Sequence, residues 1–345
     1  MSKKKATISI VVGAILLCVV IVAVSMTCVG AKAFDRQTPD DFLSDWMSYI
    51  SDDALLKNVV IPGSHDAGTV DMMWAARTQD KSPKLQMECG VRYFDIRVQL
   101  KKGKMTIFHG PISGRDFEPI IDDAKDFLQN NPSETLILDF QHFKGGNDAM
   151  KSVDEVLCQK LSGLMLANDT LKSDVDFINS LTLGEARGKA IVFWGNEFGD
   201  FSKTDYIVGK NYLFQRNNDA GTRGGSSLQS FYDKTLNRKT SKAYLKDSID
   251  KYVDRYNQSE GGLFVMQMQL TDPVAIIGPR FYEGTHTQNA AEFISRLDGK
   301  DYFASVNIIM RDFVGAGKSK QIIALNLSKG TVKTSLSSEF EHKCA

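Results

Sequence analysis

Ile61-Pro62-Gly63-Ser64-His65-Asp66-Ala67-Gly68-Thr69 joins a short β-branched run to a glycine-bounded turn that carries a histidine and a carboxylate. A dinucleotide-binding fold needs a glycine-rich loop after its first strand, where the backbone closes on pyrophosphate. A histidine in that loop turns the reading from an open doubly wound sheet, the fold alternative, to a closed barrel. Outward from this stretch, β-branched and aromatic runs alternate with runs of helical period. The pattern predicts strands over 58–62, 91–97, 105–109, 135–140, 190–194, 212–214, 262–268 and 303–310. The clearest helix starts near Pro119 and sets Ile120, Ile121, Ala124, Phe127 and Leu128 on one face, with Asn130-Asn131-Pro132 as its stop. Strand, helix, strand in this order implies a parallel sheet with right-handed crossovers, and about eight strands suit a (β/α)8 TIM barrel, whose chemistry gathers at the C-terminal strand ends.

No repeat or low-complexity linker divides the chain, so one domain over 34–345, with its core over about 41–330, follows a leader at 1–33. The chain has 42 basic and 42 acidic residues, and setting aside Lys3, Lys4, Lys5 and Lys32 leaves 38 basic against 42 acidic in the body. A mildly acidic body without a basic stripe argues against nucleic acid as a partner, because phosphate backbones are held by clustered Lys and Arg.

Three lysines precede an apolar run from Ile8 to Val29, followed by Ala31-Lys32-Ala33. The small residues favour a cleaved secretory signal, whereas the length of the run favours an uncleaved anchor. Both readings keep the lysines cytoplasmic and export the body, as a secreted protein or one anchored at the outer face of the membrane. Cys18 and Cys28 lie in the leader, and Cys89, Cys158 and Cys344 make neither a disulfide framework nor a metal site; the alternatives are one bridge among them, or Cys89 as a buried thiol and Cys344 as a loose one. Asn168, Asn257 and Asn326 are glycosylation sequons, relevant where the host modifies exported proteins.

Polar residues collect at the predicted strand ends: His65 and Asp66 after the first, Asp95 and Arg97 at the second, His109 at the third, Asp312 after the last, with Gln141 and Gln267 at others. A histidine titrates near neutrality and exchanges protons in one turnover, so two of the five histidines beside carboxylates suggest an acid and base pair. Metal-dependent barrel phosphodiesterases place two carboxylates at the end of the second strand. In Phe94-Asp95-Ile96-Arg97 a guanidinium stands in the second position, where it repels a cation and its planar fork suits phosphate. Neither metal nor cofactor is expected.

Taken together, the first motif, Gly90-Val91-Arg92-Tyr93-Phe94-Asp95-Ile96-Arg97, His109-Gly110-Pro111, Asn131-Pro132-Ser133-Glu134-Thr135 and Leu183-Gly184-Glu185-Ala186-Arg187-Gly188-Lys189 resemble the bacterial phosphatidylinositol-specific phospholipase C family from about Ile61 to Gly330. The resemblance implies a slightly irregular (β/α)8 barrel that cleaves an inositol phospholipid without a metal. It implies His65 as general base, Asp312 as its orienting carboxylate, His109 as general acid supported by Asp66, Arg97 on the phosphate oxygens and Asp95 fixing that group. The family's sugar-reading lysine and arginine correspond to Gln141 and to Gly195 beside Trp194, so Gln141, Trp194 and Gln267 are the substrate-binding candidates. Met72-Met73-Trp74 falls where the family has a short helix dipping into lipid, and Phe281-Tyr282 is a second rim candidate. The expected partner is a phospholipid at a membrane surface, met by a monomer. Two rivals stand beside this reading: a metal-dependent glycerophosphodiester phosphodiesterase, and a non-catalytic lipid- or glycan-binding barrel.

Overall fold

The computed structural model describes residues 3–195, 209–217, 226–230, 241–270 and 278–345. Among the described residues ten strands form one sheet: β1 Ile61–Ser64, β2 Tyr93–Lys101, β3 Lys104–His109, β4 Ile112–Asp116, β5 Leu136–Lys144, β6 Ala190–Trp194, β7 Leu213–Gln215, β8 Leu228–Ser230, β9 Leu263–Gln267 and β10 Ile308–Arg311. Eight of them run parallel in the order β7-β6-β5-β2-β1-β10-β9-β8. The two ends of this arc meet through one parallel bridge, Arg216 to Leu228. Around that bridge Ser227 N donates to Gln215 O at 2.8 Å and Asn217 N to Leu228 O at 2.9 Å. The Asn217 carboxamide adds two bonds, accepting from Ser230 N at 2.8 Å and donating to Ser230 O at 2.9 Å. The fold is the expected (β/α)8 barrel, closed by a thin seam.

Twelve helices are described: α1 Lys3–Ala31, α2 Asp41–Ser44, α3 Pro83–Glu88, α4 Glu118–Asn130, α5 Gly146–Leu161, α6 Asp174–Ser180, α7 Leu183–Ala186, α8 Ser241–Gln258, α9 Pro279–Ile294, α10 Ala316–Ile323, α11 Leu325–Lys329 and α12 Ser337–Cys344. Successive strand residues point to opposite sides, and both sides are apolar, as parallel strands between helices require. Leu138, Val192 and Trp194 join α4 and α5 in an outer layer, while Tyr93, Ile137, Ile191, Phe193 and Met310 pack together on the inner side. The helix starting near Pro119 is α4, with the expected five residues buried.

Several expectations are revised. The strand ending at His109 is not a barrel strand. It folds back antiparallel on the extension of β2, through a turn in which Lys102 and Gly103 have φ of 52° and 74°. The barrel strand it displaces is β8, which the pattern missed. Residues 303–305 form a 3₁₀ turn before β10, and 56–58 another before β1. Asn326 is fully buried, its carboxamide bonded to Val60 N and O, so this sequon is closed to modification. Cys89 is buried as expected, but Cys344 is half-buried in α12, where burial pushes its thiol up to about 12. Packing continues past residue 330, because Phe340 of α12 is buried against Phe42 and Tyr49.

The N-terminal ends of the strands are plugged by Phe42, Trp46, Met47 and Ile50, which share one apolar cluster with the inner strand residues. Arg92, just before β2, ties the plug down. Its guanidinium pairs with Glu134 at 2.7 Å and donates to the carbonyls of Leu43, Ser44, Met87 and Val91. Glu134 also accepts from Met47 N at 3.0 Å. Removing one partner of a buried pair strands the other charge, so Glu134→Ala should lower the unfolding free energy by about 3–5 kcal/mol. Denaturant unfolding checks this, and a change under 1 kcal/mol would show the clamp to be dispensable.

Candidate active site

Inward-facing residues change from apolar to polar toward the C-terminal ends of the strands. On β2, Tyr93 is followed on the same side by Asp95 and Arg97; on β5, Ile137 is followed by Asp139 and Gln141. β1 ends at Ser64, and the next two residues, His65 and Asp66, turn over the mouth. Asp66 has φ 46°, a left-handed conformation that Asp tolerates better than most residues, and Asp95 Oδ2 accepts from its backbone N–H at 3.3 Å.

The mouth brings together His65, Asp66, Asp95, Arg97, His109, Gln141 and Asp312. His65 Nδ1 lies 2.7 Å from Asp312 Oδ1. A carboxylate only accepts, so Nδ1 carries the proton and Nε2 faces the site. Nε2 is 3.3 Å from Asp66 Oδ2 and 3.4 Å from Arg97 Nη2. Arg97 meets Asp66 Oδ1 through Nε at 2.5 Å, Asp95 Oδ2 through Nη2 at 3.4 Å, and Gln141 Oε1 through Nη2 at 2.9 Å. His109 arrives on the antiparallel hairpin, with Nδ1 2.8 Å from Ala76 O and Nε2 3.6 Å from Asp66 Oδ2. The carbonyl fixes the proton of this ring on Nδ1, so Nε2 is again the atom turned to the site. A pocket of about 160 Å³ is lined by His65, His109, Thr78, Pro111, Pro279 and Asp312 among others.

The electrostatics follow from burial and pairing. Burial alone would push His65 down, but the carboxylates of Asp66 and Asp312 outweigh it and hold the ring at about 9. Burial opposes the charge on Asp66, yet Arg97 and the two histidines keep its carboxyl well below the usual range. Burial raises Asp312 despite His65 beside it. His65, Asp66 and Asp95 offer donor atoms within 4.8 Å of one another, a spacing a cation could use. Arg97 pairs with both carboxylates, so the positive charge at this position comes from the chain itself.

Other candidates lie elsewhere. Trp194 points outward from β6, its ring centroid 4.6 Å from Phe143 and 5.4 Å from Phe140, because strand alternation gives the inward position to Phe193. It is a core residue and not a pocket wall. A side chain at Gly195 would meet Gln141 O at 2.7 Å, which explains why no charged residue stands there. Gln267, at the inward-facing end of β9, is bonded to Ser230 of β8 and to Gln269. Met72 is 4% exposed and packs in the core, whereas Met73 and Trp74 are 53% and 52% exposed.

Two residues escaped the sequence. Gln79 donates to His65 O at 2.8 Å and Arg311 O at 3.1 Å and accepts from Val314 N at 2.9 Å, tying together the turns that carry His65 and Asp312. It stands in an irregular segment without a periodic signal. Arg216, immediately after β7, is fully buried and meets Asp139 at 2.7 Å, while Tyr93 OH donates to the other oxygen of Asp139 at 2.6 Å. Its place after a strand end was a usable signal.

Residues 53–195 match the sequence model of the family described as phosphatidylinositol-specific phospholipase C, X domain. The matched stretch runs from before β1 to the end of β6. A 1-phosphatidylinositol phosphodiesterase of Staphylococcus aureus is 30% identical over 174 residues, covering 47% of this chain and 54% of the relative. One from Listeria monocytogenes is 25% identical over 290 residues, covering 81% and 84%. The chain thus spans about half the length of the first relative. The solved phosphatidylinositol-specific phospholipase C of Listeria monocytogenes superimposes with a TM-score of 0.63 at 22% identity, over 81% of this chain and 97% of that one, and shares its barrel fold.

A His65 raised to about 9 from the ordinary value of about 6.5 stabilises the folded chain fully below pH 6.5, and this contribution is lost as pH rises through 9. Asp312→Asn should lower the His65 titration seen by NMR and shrink the fall in unfolding free energy between those pH values. An unchanged His65 titration in the variant would show that Asp312 does not hold the proton.

Proposed function

We propose that this chain is an exported phosphodiesterase that cleaves phosphatidylinositol, or a related inositol phospholipid, to diacylglycerol and a cyclic inositol phosphate. The observation that carries the reading is the pair of histidine Nε2 atoms turned toward one carboxylate, Asp66, with the Arg97 guanidinium on the same group. Internal attack by a neighbouring hydroxyl on phosphorus needs one base, one acid and a fixed positive charge, and little else from the protein.

In this reading His65 Nε2 takes the proton of the inositol 2-hydroxyl as its oxygen bonds to phosphorus. Asp312 holds the ring and stabilises the imidazolium that forms. The bond from phosphorus to the diacylglycerol oxygen breaks, and that oxygen receives its proton from His109 Nε2, which lies 3.6 Å from Asp66 Oδ2. Arg97 serves the phosphate oxygens, with Asp95 and Gln141 fixing its plane. Because Gln141 is uncharged and already bonded to Arg97, the sugar is read with less charge than a lysine would supply. The resting imidazolium of His65 must lose its proton first, so kcat/KM should rise with pH toward 9. The apolar α1 behind three lysines supports export, with the helix kept as an anchor and the body as a monomer at the outer face.

The test is a panel of phospholipids incubated with the full chain in the presence of a chelator. Release of cyclic inositol phosphate from phosphatidylinositol supports the reading; activity abolished by the chelator, or a linear headgroup phosphate as the first product, sinks it. His65→Ala should lower turnover by roughly 10²–10⁴ with the fold intact, the size expected for a lost general base. Arg97→Lys should also lose most of the rate at an unchanged thermal midpoint, because an ammonium cannot reproduce a two-pronged contact. Near-normal rates in either variant would remove that residue from the reaction.

A further inference from the structure

We propose that the mouth of the barrel faces the bilayer that carries α1, so that the lipids cleaved are those of the chain's own membrane. The proposal rests on the lipid-cleaving reading above and adds where the substrate comes from.

The path of the chain after α1 carries the argument. Arg280, in the first turn of α9, donates from Nε to Gly30 O at 3.2 Å, and its guanidinium lies 4.3 Å from the Phe34 ring centroid. Phe34 packs edge-on against Phe313, the residue after Asp312, with centroids 5.6 Å apart. Asp35 Oδ2 then accepts from Lys318 N at 2.6 Å, Asp40 pairs with Lys320 at 2.9 Å, and Leu43 reaches Gly90 at the foot of β2. Residues 30–43 therefore descend the barrel from its mouth to its floor, and α1 leaves at the mouth end.

The junction is seated, not loose. A side chain on Gly284 would stand 2.1 Å from Val29 O, so the last turn of α1 lies directly on α9. Ala33 is fully buried, and Lys318 Nζ donates to Ala33 O at 3.0 Å and to Asp312 O at 3.0 Å. Cleavage at the small residues would remove contacts the folded body uses. Farther out, the apolar residues from Val12 to Val24 are exposed, and the window Ala14–Ala31 has a mean hydropathy of 2.7 with 6% of it buried. Twenty-nine helical residues span roughly 40 Å, more than the hydrocarbon of a bilayer.

The mouth lies at the same edge. Pro279 lines the pocket that holds His65 and His109, and the next residue grips the end of α1. A side chain on Gly278, beside Pro279, would touch the Trp74 ring, and Trp74 and Met73 are half exposed. An exposed Trp beside an apolar helix is suited to the headgroup layer. A chain held there meets substrate at a concentration set by its tether rather than by diffusion.

The experiment reconstitutes the full chain in phosphatidylcholine vesicles containing phosphatidylinositol. These are mixed with protein-free vesicles whose phosphatidylinositol carries distinguishable acyl chains, and both diacylglycerols are followed. Diacylglycerol from the protein-bearing vesicles should form at least about tenfold faster per lipid. Equal rates, or faster cleavage of the protein-free vesicles, would overturn the proposal while leaving the lipid-cleaving reading intact. Absence of activity even on detergent-dispersed phosphatidylinositol would overturn both. Gly284→Val and Arg280→Ala, which unseat α1, should lower the rate on the chain's own vesicles by about threefold or more while the rate on dispersed lipid stays unchanged. Full retention of that rate in both variants would show that the seat does not orient the mouth.

Discussion

A carboxylate taken out of water must be given positive partners, and the mouth of this barrel is organised around one such group. Asp66 is buried, sits at a left-handed turn, and faces Arg97 with one oxygen and the two histidines with the other. Each partner comes from a different piece of the fold: His65 from the same turn, Arg97 from β2, His109 from the hairpin. The charge therefore decides where three elements must end. It also links the two rings electrically, since a proton on either one is felt by the oxygen between them.

The rest of the barrel keeps that group in place from below and behind. Under the mouth the inner side becomes apolar, and at the floor the plug is clamped by Arg92 and Glu134, a second buried pair satisfied by backbone groups all round. Behind the mouth Gln79 ties the turn of His65 to that of Asp312, so the dyad is set by the backbone as well as by its own hydrogen bond. A misplacement of either turn would be paid for in both bonds.

The sequence made legible what depends on neighbours in the chain. The apolar face of α4, the cores of β1, β2, β5 and β6, and the polar residues at strand ends are local patterns, and the structure has them. Failures came where the answer lies elsewhere in space. The hairpin carrying His109 differs from a parallel strand only through the Lys102-Gly103 turn, a signal one residue pair long. β8 has three residues, too few for a period to show. Trp194 was placed on the wrong side of its strand because a one-residue slip reverses every side chain. Met72 was grouped with Met73 and Trp74 although a turn separates their environments. Gln79 acts only through backbone groups brought to it by the fold.

The seam between β7 and β8 shows how little main-chain pairing a ring requires. There the carboxamide of Asn217 both gives to and takes from the backbone of Ser230, as a peptide group of a neighbouring strand would. A side chain has become a surrogate rung. Elsewhere in the sheet any residue supplies the ladder, since every peptide carries the same donor and acceptor. At this joint two main-chain bonds are joined by two that depend on one amino acid, and closure of the barrel has become a property of composition as well as of topology. A carboxylate at that position would keep the shape and lose the donor to Ser230 O, so one rung of the ring could be unhooked by chemistry alone, without moving a strand.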